Sequence, residues 1–204
     1  MLLSAGLNAQ NYLSVHFDQV FAGFVFTDSY GKPLANLTSA LKTSYAMNYK
    51  KVLSNGFFLR AEIGNAEAGA ESILNTEKLD WDLHYVTCNL GGGYILSKLK
   101  FRPYAGLALY GSYLYKANQT IGTDYYDMIA QKSIKTADFG IDGYAGVLHT
   151  FASFASCFLE VGETRGLNQL EYDPGQHLYN KATSFRFGLA FLMDGIGARE
   201  AVVR

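Results

Sequence analysis

The nearest approach to an acid–base cluster in this chain is Asp80-Trp81-Asp82-Leu83-His84, two carboxylates and an imidazole alternating around the single tryptophan. At strand spacing all three polar groups share one face, and a carboxylate beside a histidine can orient its ring for proton transfer. Hydrolysis would also need a nucleophile in reach, and no serine motif accompanies the triplet. The other histidines, His16, His149 and His177, stand apart from one another and from Cys88 and Cys157. Metal-ligand spacing is therefore missing, and a disulfide between the two cysteines does not follow from spacing alone. No residue is assigned a catalytic, metal or cofactor role. Asp80, Asp82 and His84 read as polar neighbours of an interfacial Trp81, which sits where lipid meets water.

A second charged set is more orderly. Lys42, Lys50, Arg60, Glu62, Lys116, Asp138, Asp142, Glu160 and Arg186 all fall on one face of period-two segments whose other face is apolar. The longest such segment runs from Arg102 to Lys116. Ala105, Leu107, Leu109, Gly111, Tyr113 and Tyr115 alternate there with Gly106, Ala108, Tyr110, Ser112, Leu114 and Lys116. A soluble half-buried strand alternates over fewer residues and turns its charges to water. Here the charges share a face with glycine and alanine. That inside-out arrangement is the signature of a strand crossing a bilayer, which needs ~9–11 tilted residues and carries aromatics at the interfaces.

The rest of the chain repeats the pattern. The second strand turns Leu41, Thr43, Tyr45, Met47 and Tyr49 outward, and Asn55-Gly56 supplies a tight turn into a third with Phe57, Leu59, Ala61 and Ile63 outward. The first strand, Tyr12 to Thr27, slips in phase near Asp18-Gln19, which predicts a bulge. Asn65 to Lys78 and Ala117 to Thr136 are polar enough to read as loops. The count is eight strands, with short and long connections alternating. An even number of strands with short periplasmic turns and long extracellular loops is the plan of outer-membrane barrels. The fold class predicted is thus all-β, an eight-stranded antiparallel transmembrane up-and-down β-barrel with both termini periplasmic. Abundant Tyr and Phe (15 and 14), 21 Gly and only 17% charged residues suit it, and a net charge of −1 offers no footprint for nucleic acid.

An eight-stranded barrel is just wide enough for side chains to fill. The nine inward charges must then pair, because an unpaired buried charge is costly. They predict a salt-bridged lumen; a gated ion path through the same charges would open when Arg60 and Arg186 are replaced by Ala. Glu163 and Arg165, outward on the seventh predicted strand, mark the edge of the apolar band. Tyr125, Tyr126 and Tyr172 in the loops offer contact area for a partner.

Several stretches resemble a family. Arg102-Pro103-Tyr104, Asp138-Phe139-Gly140, Gly166-Leu167-Asn168, an N-terminal segment ending Asn8-Ala9-Gln10 and a last strand ending at Phe191 are similar to the PorT-like small outer-membrane β-barrel proteins of Bacteroidetes. Gly162 and Glu163 stand where the family pattern has Arg followed by Tyr, with Arg165 displaced. The short apolar stretch of Leu2, Leu3 and Ala5, with Leu7-Asn8-Ala9 ahead of Gln10, reads residues 1–10 as the remnant of a secretory signal peptide, which leaves 11–193 as the barrel and 194–204 as a short tail. The resemblance implies an eight-stranded outer-membrane barrel and fixes no activity. Together with the charge-balanced lumen it leads to the expectation of a non-enzymatic component of a Gram-negative outer membrane, in contact with its lipids and with envelope or secretion-system proteins, without cofactors. The alternatives are a narrow pore or small-ligand transporter, and an outer-rim lipid-modifying enzyme.

Overall fold

The structure, a computed structural model, describes residues 9–27, 30–33, 37–74, 77–96, 100–172, 175 and 177–193. The expected signal remnant up to Asn8 and the tail 194–204 lie outside these residues. Among these residues nine strands follow in order: β1 (Gln10–Thr27), β2 (Thr38–Val52), β3 (Phe57–Leu74), β4 (Glu77–Ile95), β5 (Phe101–Ile121), β6 (Asp124–Asp127), β7 (Ala137–Ala152), β8 (Ala155–Gly166) and β9 (His177–Leu192). Eight of them pair antiparallel in chain order, and β9 returns to pair with β1, closing a ring; β6 folds back on the end of β5 outside it. The fold is the eight-stranded barrel.

The registers link up as Leu13, Tyr49, Ala61, Leu90, Leu109, Ile141, Arg165, Lys181 and back to Gly23 on β1. One circuit therefore climbs the ten residues between Leu13 and Gly23. With a rise of ~3.3 Å per residue and strands ~4.8 Å apart, that stagger tilts the strands about 40° from the barrel axis.

The pleat sorts the side chains inside out. Leu107 on the outer face is 70% exposed, whereas Leu148 on the inner face is 2% exposed. At the end where β1 begins and β9 stops, Tyr12, Phe58, Tyr104, Tyr144 and Phe158 fill the interior. At the far end Phe24, Leu83, Tyr85, Leu114 and Leu178 do so, roofed by Met128, Ile134 and Leu170 from the connecting segments. Five interior rings each face a glycine directly across a ladder: Phe58 opposite Gly93, Tyr104 opposite Gly146, Tyr144 opposite Gly106, Tyr110 opposite Gly140 and Phe158 opposite Gly188. A Cβ on any of these glycines would lie within 3.0 Å of the ring it faces. The inward glycines are thus the space into which the aromatics lie down.

Three expectations need correction. β1 has no bulge: its pairing with β2 and β9 is unbroken, and even-numbered residues point inward throughout. The apparent slip arises because Val20, Ala22 and Phe24 are apolar residues on the inner face. The segment Asn65 to Lys78 is mostly strand, since β3 and β4 continue past the apolar band as a hairpin; beyond the band both faces meet polar surroundings and the alternation fades. Ala117 to Thr136 likewise holds the end of β5 and β6.

Replacing Gly106 by Val is expected to displace the Tyr144 ring and destabilise the barrel by about 1–3 kcal/mol. Urea unfolding of the refolded protein measures this, and Gly111→Val, whose Cβ meets nothing within 4 Å, is the matched control.

Candidate functional site: the charged interior

Between the two apolar layers lies a polar one, built where β3, β7, β8, β9 and β1 turn charged residues inward. Arg60 and Glu62 are successive inward positions of β3. Glu160 stands on β8, four strands away around the ring of eight, so contact between β3 and β8 crosses the full width of the lumen. Arg60 makes that crossing: its Nη1 donates to Glu160 Oε2 at 2.9 Å and Oε1 at 3.1 Å. Its Nε donates to Glu62 Oε2 at 3.0 Å, and its guanidinium lies over the Tyr144 ring at 4.7 Å. Arg186 on β9 completes the set. It donates to Glu160 Oε1 at 2.7 Å and, with two nitrogens, to both oxygens of Asp142 at 2.9 Å.

Neutral groups take up the remaining lone pairs. Tyr104 donates to Glu160 Oε2 at 2.9 Å, Asn89 to Glu62 Oε1 at 2.7 Å and Thr164 to Asp142 Oδ1 at 3.2 Å. Buried guanidinium–carboxylate pairs offset their desolvation only when geometry and auxiliary hydrogen bonds are good. Both conditions hold around Glu160, whose side chain is 0% exposed.

The nine predicted charges divide. Arg60, Glu62, Glu160, Arg186 and Asp142 meet in one network. Lys50 lies on the terminal side of it, its Nζ 4.0 Å from the centroid of Tyr104, a cation–π contact. Asp138 sits on the far side, accepting from Asn180 at 2.7 Å and Tyr110 at 3.1 Å. Lys42 and Lys116 are elsewhere. Tyr115 is an extra residue in the β4–β5 ladder, between the pairs His84–Lys116 and Tyr85–Leu114, and it throws Lys116 out of inward phase. Lys116 instead lies half-exposed, 3.8 Å from Asp82. Lys42 reaches Asp82 at 2.8 Å by passing over Gly69, where a Cβ would touch its Cε.

Two members of the inner layer escaped sequence reasoning. Asp18 Oδ2 lies 3.5 Å from Arg186 Nε, and His16 Nε2 lies 3.4 Å from Asp18 Oδ1 and 3.9 Å from Glu62. Strict alternation from Tyr12 would have placed both inside.

The Asp82–His84 pair does form. His84 Nε2 is 2.9 Å from Asp82 Oδ2, and its Nδ1 is 3.8 Å from Glu67. On β4 the exposed apolar residues of the outer face, Tyr94, Leu90 and Val86, stop below His84, so the cluster lies beyond the apolar band. Burial works against charge on Asp82, but hydrogen bonds from Lys42 and His84 outweigh it and hold the carboxyl below its ordinary value of 3.8. Ion pairing with two lysines is a structural use of that carboxylate. Cys88 and Cys157 are both free thiols. Glu163 and Arg165 pair with each other on the exposed outer face at 2.5 Å. Tyr125 and Tyr172 are exposed at the far end.

Replacing Glu160 by Gln is expected to cost about 3 kcal/mol, because two buried guanidiniums lose their shared counter-charge. Glu163→Gln should change stability by less than ~0.5 kcal/mol, as expected for an exposed pair. Urea titration of both variants checks the contrast. The Asp82 contribution is fully present above pH 3.8 and is lost as pH falls through its lower folded-state value. The stability gap between wild type and Asp82→Asn is therefore expected to be flat at neutral pH and to narrow in acid, read from unfolding curves at a series of pH values.

No family model and no curated protein matches the chain. Solved structures do. Neisserial surface protein A superposes with a TM-score of 0.52 at 11% identity over 90% of this chain and 98% of its own. The outer membrane protein OprG from Pseudomonas aeruginosa does so with a TM-score of 0.58 at 12% identity, over 91% and 96%. The chain has the fold of the small outer-membrane β-barrels.

Proposed function

We propose that this protein is a non-enzymatic outer-membrane barrel with a closed lumen, which anchors a rigid surface at its far end for other envelope proteins. The observation that carries the reading is the bridge from Arg60 to Glu160 and Arg186 across the lumen, stacked on a floor of aromatic rings. A barrel of eight strands has no room for a water column once such a layer is in place. The apolar band of the outer face, with Leu90, Leu107, Leu109 and Leu159 exposed, supports insertion in a bilayer. Tight connections at the end bearing the termini and a tall β3–β4 hairpin at the other support a periplasmic position for both termini.

The partner surface is the far end. There the β3–β4 hairpin and β6 rise beyond the apolar band, with Tyr125 and Tyr172 exposed. Tyrosines offer large contact area and lose little entropy on binding, and Tyr125 is carried on β6. A place in the PorT-like branch, and with it a link to protein secretion, rests on the resemblance around Arg102-Pro103-Tyr104. In the fold Arg102 ties the terminal end together, donating to Thr150 at 2.6 Å and Tyr12 at 3.2 Å.

In a planar bilayer the refolded protein is expected to give no resolvable single-channel steps. Discrete openings by the wild-type protein would replace this reading with that of a narrow pore.

A further inference from the structure

Above the charged layer and below the apolar roof, the interior retains a cavity of about 110 Å³. Its wall carries buried polar atoms left over by the surrounding network: Asp138 Oδ1, Asn180 Oδ1 and Ser184 Oγ have no hydrogen-bond partner among the described residues. Asp138 is 4% exposed and Asn180 8% exposed. The Asn180 amide is oriented by its own donations, to Asp138 Oδ2 at 2.7 Å and Tyr85 Oη at 3.2 Å, so its carbonyl oxygen is left over.

Charge points the same way. The inner layers hold the carboxylates Asp18, Glu62, Asp138, Asp142 and Glu160 against the permanent cations Arg60 and Arg186 and the amine of Lys50. Each arginine is engaged by carboxylates other than Asp138. Asp138 has no ion-pair partner among the described residues; Lys181, the remaining cation on the cavity wall, belongs to the exposed outer face of β9. A buried carboxylate with only neutral donors is poorly compensated, and a bound cation would complete it. Val20 and Ala182 line the same space, giving an apolar flank beside the carboxylate.

We propose that this cavity binds a small alkylammonium ion, its N–H groups donating to Asp138, Asn180 and Ser184 and its alkyl group resting on Val20 and Ala182. Entry has a route. The β2–β3 ladder is interrupted between the pairs Ser39–Ala70 and Tyr45–Asn65, and Tyr45 and Asn65 both reach the cavity. Across that interruption the strands are held by side chains: Ser44 Oγ accepts from the Glu67 amide at 3.2 Å. This site is independent of any partner at the far end and of whether the lumen conducts.

The test uses the full-length refolded barrel in detergent, titrated with methylammonium chloride and, at matched ionic strength, with sodium chloride or sodium acetate. The Asn180 side-chain amide and the Asp138 carboxyl carbon are followed by NMR. A saturable shift of both signals with methylammonium alone is expected, weakened about tenfold or more in Asp138→Asn. Asp138→Asn is nearly isosteric, and its folded state is verified by heat-modifiable electrophoretic migration. Absence of saturation with methylammonium, an equal response to sodium, or a response unchanged in Asp138→Asn would overturn the assignment. So would a carboxyl carbon shift showing Asp138 protonated at neutral pH and indifferent to methylammonium.

Discussion

The interior of this barrel depends on Arg60 spanning the lumen to Glu160. A closed ring of eight strands has no edge to expose, but it turns half of every strand into a cylinder too narrow for bulk water. Whatever points inward must find its partner inside. Arg60 and Arg186 meet at the two oxygens of Glu160, one from across the ring and one from the neighbouring strand, and so join β3, β8 and β9 through one buried carboxylate. Glu62, Asp142 and Asp18 then complete the two guanidiniums. Remove the crossing, and the remaining charges are held by one wall each.

The aromatic layers follow from the same narrowness. A ring that points straight inward from each strand would collide with its counterparts, so the rings lie flat against the wall. They can do so only where the neighbouring strand offers a glycine. The five aromatic–glycine pairs thus explain why a chain with so many tyrosines and phenylalanines also needs so many glycines on the same face.

Much of this was legible as alternation. Arg60, Glu62, Asp142, Glu160 and Arg186 are placed inward by a period of two alone, because the outer face of each strand is almost free of charge. Legibility failed where alternation stops reporting the wall. On β1 the inner face changes from polar to apolar halfway up, as Ser14, His16 and Asp18 give way to Val20, Ala22 and Phe24, and this mimics a slip in phase. At Tyr115 one extra residue reverses the phase of β5 with no mark in composition, and Lys116 leaves the lumen. The β3–β4 hairpin beyond the apolar band lost its signal because Ala and Glu suit either face. The pairing of particular charges was not legible at all. Which carboxylate meets which arginine depends on the shear of the barrel, a property of the whole closed ring.

A double-mutant cycle between Arg60 and Glu160 measures how far the interior depends on their contact across the lumen. The variants Arg60→Met, Glu160→Leu and their combination are unfolded in urea after refolding into the same detergent. A coupling of about 1.5 kcal/mol or more is expected, with the double variant more stable than the sum of its single losses, since each single change strands a buried charge. Additivity within ~0.5 kcal/mol would show that the two groups do not depend on one another and that the interior does not rest on this crossing.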